Sequence, residues 1–209
     1  GARVAINYQQ DESAARETLD QITSSGDCQA MVVQADVSRE DEVASMVDAV
    51  REQLGPVELL VNNAGIATSA SHQEFTFADW KRMFEVNVDG PFLTTWAVKD
   101  DMIAAGFGRI VNVSSLASAL LKENLIHYAT TKAAVNAFTR QCSAALARHN
   151  IRVNCVAPGL TDTDLASGAN PDMIEGLIAA TALGRMAEPG EIASVITFLL
   201  SEEAGYVTG

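Results

Sequence analysis

The chain has 209 residues, 48% hydrophobic and 20% charged, a composition that fits one globular domain with a sizeable core. Its net charge of −13 argues against a nucleic-acid or anionic-membrane partner and for a solvated cytoplasmic surface. No apolar run reaches the roughly 18 residues that a membrane span needs, and no signal peptide opens the chain.

In chain order, Ala2–Asn7 reads as a strand. A helix follows with Ala15, Leu19 and Ile22 on one face and Gly26 as its stop. Gln29–Asp36 is a second strand. The next helix has Ser38 as its expected N-cap, Asp41 three residues on, and Gly55-Pro56 as its end. Val57–Gly65 is an apolar strand running into the polar turn Asn62-Asn63-Ala64-Gly65. A long helix is expected over roughly Thr76–Ala105, then the strand Gly108–Ser115. A further helix spans about His127–His149, followed by the strand Ile151–Gly159. After a loop with Gly168, Asn170 and Pro171, the last helix has Pro189 near its start, where proline is tolerated.

Strands of nearly continuous Val, Ile and Leu alternate with helices, the pattern of a parallel sheet covered on both faces. The fold class is therefore α/β, a single Rossmann-like doubly wound domain. Ligands of such sheets bind beyond the carboxyl ends of the strands. Those ends carry Asn7-Tyr8, Asp36-Val37, Asn62–Gly65, Ser114-Ser115 and Pro158–Thr163. Each also has a plainer explanation. Gly65 serves a turn that needs positive φ, and Ser114-Ser115 caps a following turn. Asp162 and Asp164 lack further ligands and read as caps rather than a metal site. His72, His127 and His149 are scattered, so no metal is expected. The isolated Cys28, Cys142 and Cys155 read as buried, reduced thiols.

Tyr128 and Lys132 stand one helical turn apart, among the small residues Ala129, Ala133 and Ala134. A phenol ordinarily titrates near pH 10, too high for a good proton relay, and a fixed ammonium beside it lowers that value. Ser115 is then placed to hold a carbonyl or hydroxyl oxygen next to the phenol. His127 lies about 100° away around the helix and is set aside.

In this order, Asn62–Gly65, Asn87–Gly90, Asn112–Ser115, Tyr128–Lys132 and Pro158–Thr163 resemble the short-chain dehydrogenase/reductase family over nearly the whole chain. The resemblance implies a catalytic set of Asn87, Ser115, Tyr128 and Lys132. Tyr128 exchanges a proton with the substrate oxygen, and Ser115 hydrogen-bonds that oxygen. Lys132 tunes Tyr128 and holds the nicotinamide ribose, while Asn87 keeps a water that links Lys132 to solvent. Cofactor contacts are implied at Asn7, Tyr8, Asp36, Val37, Asn62, Ala64, Gly65, Tyr128, Lys132, Pro158, Gly159, Thr161 and Thr163.

Family members begin with a strand and a glycine-rich turn that cradles the pyrophosphate. That unit and the family's final strand are expected to lie outside this chain, which reads as a fragment that binds the dinucleotide poorly. The stretch Asn7-Tyr8-Gln9 has no acid to bind a ribose 2′-hydroxyl, which favours NADP(H) over NAD(H). Apolar residues after Ser115 and over Thr161–Leu183, including Leu165, Met173, Ile174 and Leu177, imply an apolar or mixed substrate pocket. The tone is that of 3-oxoacyl thioester reductases, with sugar or small-alcohol dehydrogenases as the alternative. A noncatalytic binding protein or an inactive fragment is the reading from another class. Trp80, Met83, Phe84, Phe92 and Trp96, with Val135, Phe138 and Leu146, lie on two helices that pair between subunits in the family, usually giving tetramers.

Overall fold

A computed structural model describes residues 2–24, 26, 28–163 and 171–209. Asp164, Leu165, Gly168 and Asn170 lie outside the described residues, as do the side chains of Pro171 and Met173. The strands are β1 (Val4–Tyr8), β2 (Ala30–Gln34), β3 (Leu59–Asn62), β4 (Gly108–Val113) and β5 (Ile151–Val156). The helices are α1 (Glu12–Ser24), α2 (Glu40–Leu54), α3 (Phe77–Phe84), α4 (Gly90–Ala105), α5 (Ile126–Leu146), α6 (Pro171–Ala180) and α7 (Pro189–Leu200).

All strand pairings are parallel, as the continuous Val/Ile/Leu runs lead one to expect, with β4 and β5 buried and β1, β2 and β3 only partly covered. The expected single sheet is divided, however. Among the described residues β1 pairs with β2, and β3-β4-β5 form a second sheet. No ladder joins β1 to β3, so β3 keeps an open edge with Leu59 and Val61 exposed at 40% and 38%. Helices bridge the two sheets instead. α2 packs on β1, β2 and α4, and α4 packs on β3 and β4.

The core gathers Val47, Val98, Met102, Ile110, Cys142, Leu146, Ile151 and Val153 from α2, α4, α5, β4 and β5. Each fully buried aliphatic side chain of this kind contributes about 1.5–3 kcal/mol. Cys142 is buried, Cys28 and Cys155 are half-buried, and all three thiols are free.

Two local expectations are corrected. Ser38 does not cap α2. The N-cap is Arg39, with no side-chain bond, and the Ser38 hydroxyl donates to Asp36 Oδ1 at 2.6 Å instead. A carboxylate is the stronger acceptor, so it draws the hydroxyl away from the helix. Asp41 pairs with Arg39 at 3.6 Å rather than closing a cap. The helix expected over Thr76–Ala105 is also interrupted. Thr76 caps α3 through a reciprocal box with Asp79, and Glu85–Asp89 then widens into a π-turn before α4. Such turns are rare and insert one residue into the helical ladder. Here the π-turn carries Asn87 into the interior, at 1% exposure.

Candidate active site

Pairing of β4 with β5 continues past their ends. Ser114 N–H donates to Val156 at 2.8 Å and Leu116 N–H to Pro158 at 2.9 Å, which brings Ser115 beside the Pro158-Gly159 turn. Ser115 Oγ accepts from Ala117 N–H at 3.1 Å and caps the 3-10 turn Leu116–Ala119. The same hydroxyl lies near enough to the phenol of Tyr128 to act on its ionisation. Ser114, absent from the expected set, donates its hydroxyl to the Lys132 carbonyl at 2.9 Å and so ties α5 to the end of β4.

On α5 the ammonium of Lys132 sits 5.7 Å from the centroid of the Tyr128 ring. Lys132 is 6% exposed, and its Nζ donates to the Val113 carbonyl at 2.9 Å. Burial pulls this ammonium down to about 8, opposed weakly by the Cys155 thiol. The expected lowering of the Tyr128 phenol is not found. Burial pushes it up, and the neighbouring Ser115 hydroxyl only partly opposes that. Desolvation wins because the ammonium is aimed at the strand carbonyl and not at the phenol oxygen. At neutral pH the phenol therefore keeps its proton, the form a hydrogen donor needs.

Asn87 reaches the turn after β3. Its Oδ1 accepts from Ile66 N–H at 2.9 Å, and its Nδ2 donates to the Ile66 carbonyl at 2.9 Å. Nδ2 also approaches Thr131 Oγ1 at 3.2 Å and Met83 Sδ at 3.1 Å. These polar atoms are engaged by the protein itself, so the residue's visible work is to clamp this turn. Gly65 is not in positive φ, contrary to the turn argument. Its place is explained by crowding, since an added Cβ would lie 3.2 Å from Asn87 Oδ1 and 3.4 Å from Lys132 Nζ. Asn87, Gly65, Lys132, Tyr128 and Ser115 thus form one connected group.

The expected cofactor residues divide into two kinds. Asn62 is buried, with its amide bound to Asn112 Oδ1 at 2.8 Å and its carbonyl accepting from Thr94 at 2.7 Å, so it supports the turn from beneath. Asn112 continues to Thr139 at 2.9 Å. Sequence reasoning missed this polar network because its members sit within apolar strand and helix runs. Asn7 is likewise engaged, bridging to the Val33 and Ala35 carbonyls of the neighbouring strand. Asp36 accepts from Ser38, from Gln9 at 2.7 Å and from Arg82 at 3.4 Å. Burial opposes its ionisation, but Ser38 and Arg82 hold the carboxyl below its usual range.

The others lie open or half-open along the edge. Ala64 and Gly159 are exposed, and Tyr8, Val37 and Pro158 are half-buried. Thr161 bridges to Ala187, and Thr163 is exposed. No hydrogen bond from the Asp162 side chain supports its expected capping role among the described contacts; its backbone N–H donates to Ala187 at 2.9 Å. No cluster of metal-ligating residues exists among the described residues.

These residues fit a nicotinamide ribose. Among the described contacts Lys132 Nζ donates one hydrogen bond of the three an ammonium can make. A Cβ at Gly65 would lie 3.4 Å from it, so the missing side chain leaves space between the ammonium and the exposed Asn63–Gly65 turn. His127, set aside earlier, is 1% exposed, shares a 2.7 Å hydrogen bond with Thr68 and stacks on Phe75.

Comparison with known proteins gives a consistent result. The family model described as enoyl-(acyl carrier protein) reductase matches residues 1–209. An acetoacetyl-CoA reductase of Allochromatium vinosum is 35% identical over all of this chain and 85% of its own length. A 3-oxoacyl-[acyl-carrier-protein] reductase of Synechocystis is 34% identical over all of this chain and 83% of its own. Among solved structures, a gluconate 5-dehydrogenase from Burkholderia cenocepacia, in complex with NADP and tartrate, superposes with a TM-score of 0.90 at 31% identity. That match covers all of this chain and 82% of the other.

Proposed function

Because the chain belongs to the short-chain dehydrogenase/reductase family, and is an NAD(P)-dependent oxidoreductase acting on CH–OH groups, we propose that it interconverts a 3-oxoacyl thioester and its 3-hydroxy form through Tyr128. The observation that carries this reading is the Lys132 ammonium held 5.7 Å from the Tyr128 ring, on the helix that Ser114 ties to the end of β4 next to Ser115. A bound nicotinamide dinucleotide supplies hydride chemistry. The chain's own residues supply position and proton. The Tyr128 hydroxyl gives its proton to the substrate oxygen in reduction and takes it back in oxidation. Ser115 Oγ holds that oxygen within reach of the phenol. Lys132 holds the ribose with its remaining donors. Asn87 keeps the Gly65 turn in place beside Lys132.

Asp36 and Val37 are assigned to the adenine, Ala64 and Gly65 to the adenosine side, and Pro158, Gly159, Thr161 and Thr163 to the nicotinamide amide. NADP(H) is favoured over NAD(H). The Asn7-Tyr8-Gln9 turn carries no carboxylate, and the first acid beyond it, Asp11, accepts from Ala14 N–H at 2.9 Å at the start of α1. The thioester class is supported by the two reductases above and by exposed Leu116, Leu120, Leu121 and Ile126 on the segment between Ser115 and Tyr128. A sugar dehydrogenase is the second reading, carried by the similarity to the gluconate 5-dehydrogenase.

The family's first βα unit is proposed to complete the sheet between β1 and β3. The open β3 edge supports this. No described helix is long and apolar enough to cross a membrane, and a cytoplasmic homotetramer is the proposed state. Its contact face would be the aromatic cluster of Phe92, Trp96 and Phe138, of which Phe92 and Trp96 are stacked and exposed.

The test is cofactor oxidation with acetoacetyl-CoA, gluconate-type keto sugars and small ketones. Tyr128→Phe is expected to lower kcat about 10³-fold with dinucleotide affinity unchanged. Retained turnover in Tyr128→Phe sinks the proton-transfer role, and faster turnover of keto sugars selects the second reading.

A further inference from the structure

We propose that His127 is a positioning residue for Tyr128: its hydrogen bond with Thr68 and its stack on Phe75 fix the first turn of α5 against the loop after β3, and thereby hold the phenol at Ser115. The proposal rests on the reading of Tyr128 as the proton-transfer group.

The start of α5 lacks the usual local anchor. Its N-cap is Leu125, which supplies no side-chain hydrogen bond to the orphan amides of the first turn. Tyr128 stands within that turn, where an uncapped helix frays most readily. Contacts from the loop after β3 take the place of a cap. Asn124 Nδ2 donates to Ser69 Oγ at 2.7 Å, and Ala70 N–H donates to the Asn124 carbonyl at 3.1 Å. His127 makes the contact nearest the phenol, with Nε2 and Thr68 Oγ1 2.7 Å apart and the ring stacked on Phe75 at a centroid distance of 4.7 Å.

The same loop, which begins after β3 ends at Asn62, includes the Ile66 backbone that Asn87 clamps. One segment therefore fixes both the Lys132 side and the Tyr128 side of the group. Packing alone does not explain a histidine here. The ring is 1% exposed, and its Nδ1 has no partner among the described residues. Phenylalanine or leucine would fill the space without burying an unpaired nitrogen. Neither would supply the bond to Thr68.

Three variants test this. Thr68→Val, at an exposed position, removes only the hydroxyl. His127→Leu removes the ring, and His127→Gln returns an amide near the place of Nε2. The readouts are kcat and KM for acetoacetyl-CoA and NADPH, and the near-ultraviolet tyrosinate titration of Tyr128, identified by its loss in Tyr128→Phe. Thr68→Val and His127→Leu are expected to lower kcat about tenfold and leave KM for NADPH within about twofold. Both are expected to move the phenol titration down by about half a pH unit or more as water reaches it. His127→Gln restores both readouts. Wild-type kcat and titration in Thr68→Val overturn the proposal, and so does a loss of kcat with the titration unmoved. Wild-type turnover in Tyr128→Phe would instead remove the underlying reading, while the titration still decides whether His127 positions the phenol.

Discussion

Lys132 and Tyr128 stand one turn apart on α5 with the ammonium 5.7 Å from the ring centroid, yet the ammonium's hydrogen bond goes to the Val113 carbonyl at 2.9 Å. The strand thus holds the lysine in a site that suits a ligand better than it suits the fold. Burial lowers its pKa from 10.5 to about 8, so the folded state gives up this proton before the unfolded one does. Below pH 8 both states are charged and the full cost is present; above 10.5 neither is, and the cost disappears.

Lys132→Met is therefore expected to stabilise the protein at pH 7 by about 2 kcal/mol. Each pH unit of displacement is worth about 1.4 kcal/mol, and the lost bond to Val113 offsets part of the gain. The gain should shrink steadily between pH 8 and 10.5, while turnover is lost throughout. Urea midpoints at the two ends of that window check it, and an unchanged or lower midpoint at pH 7 contradicts the burial argument.

Gly65→Ala tests the crowding between the turn and the two side chains beneath it. The new methyl would meet Asn87 Oδ1 at 3.2 Å and Lys132 Nζ at 3.4 Å, so one of them must yield by a few tenths of an ångström. Stability should change by less than about 1 kcal/mol, because the turn is exposed and its φ suits alanine. Dinucleotide affinity and kcat should each fall about tenfold, since the methyl covers the ammonium and shifts Asn87. Unchanged kinetics would show that nothing binds over Gly65.

Much of this arrangement was legible in one dimension, and the limits are physical. The spacing of Tyr128 and Lys132 places them on one helix face, and the apolar runs identify every strand. Periodicity does not name a strand's neighbours, which is why the division between β2-β1 and β3-β4-β5 could not be read. The direction of the Tyr128 shift is not legible in the sequence, because spacing shows that an ammonium is near, not where it points or how dry the site is. Ser38 was misread because a carboxylate two residues earlier competes for its hydroxyl. The π-turn at Asn87 depends on partners as distant as Ile66 and Thr131, which no local pattern records. Rotation around the helix turns His127 away from Tyr128, yet its hydrogen bond is to Thr68, in a loop far earlier in the chain that local spacing does not reveal.

Acid should act on the protein through His127. Burial lowers the imidazole below 6.5, and the distant carboxylate of Asp79 opposes this only in part. The unfolded state then binds the proton more tightly, so stability rises with pH across the window below 6.5 and falls as the solution is acidified. His127→Phe keeps a ring to stack on Phe75 and has nothing to protonate. Its denaturation midpoint should vary less than the wild type's between about pH 5 and 7, the range in which an ordinary histidine changes charge. Parallel curves for the two proteins would remove His127 from the acid response.

At the opposite end of β5, Arg152 performs a structural task that can be separated from chemistry. Its Nη1 donates to the Leu199 carbonyl at 2.8 Å and to Val207 at 3.3 Å, and its Nη2 donates to Ser201 at 2.7 Å. These include the carbonyls that end α7, where a helix lacks internal donors and presents negative charge. The neighbouring cation Arg109 partly opposes this clamp. Arg152→Leu should cost about 2–4 kcal/mol, because buried carbonyls lose a charged donor. The loss is tempered by relief from Arg109. Amides in the last turn of α7 should lose hydrogen-exchange protection first, while kcat of the folded fraction stays at the wild-type value, since Ser115 and Tyr128 lie at the other end of the strands. A fall in kcat without a fall in stability would mean that this end of the sheet is coupled to the site, contrary to the contacts described.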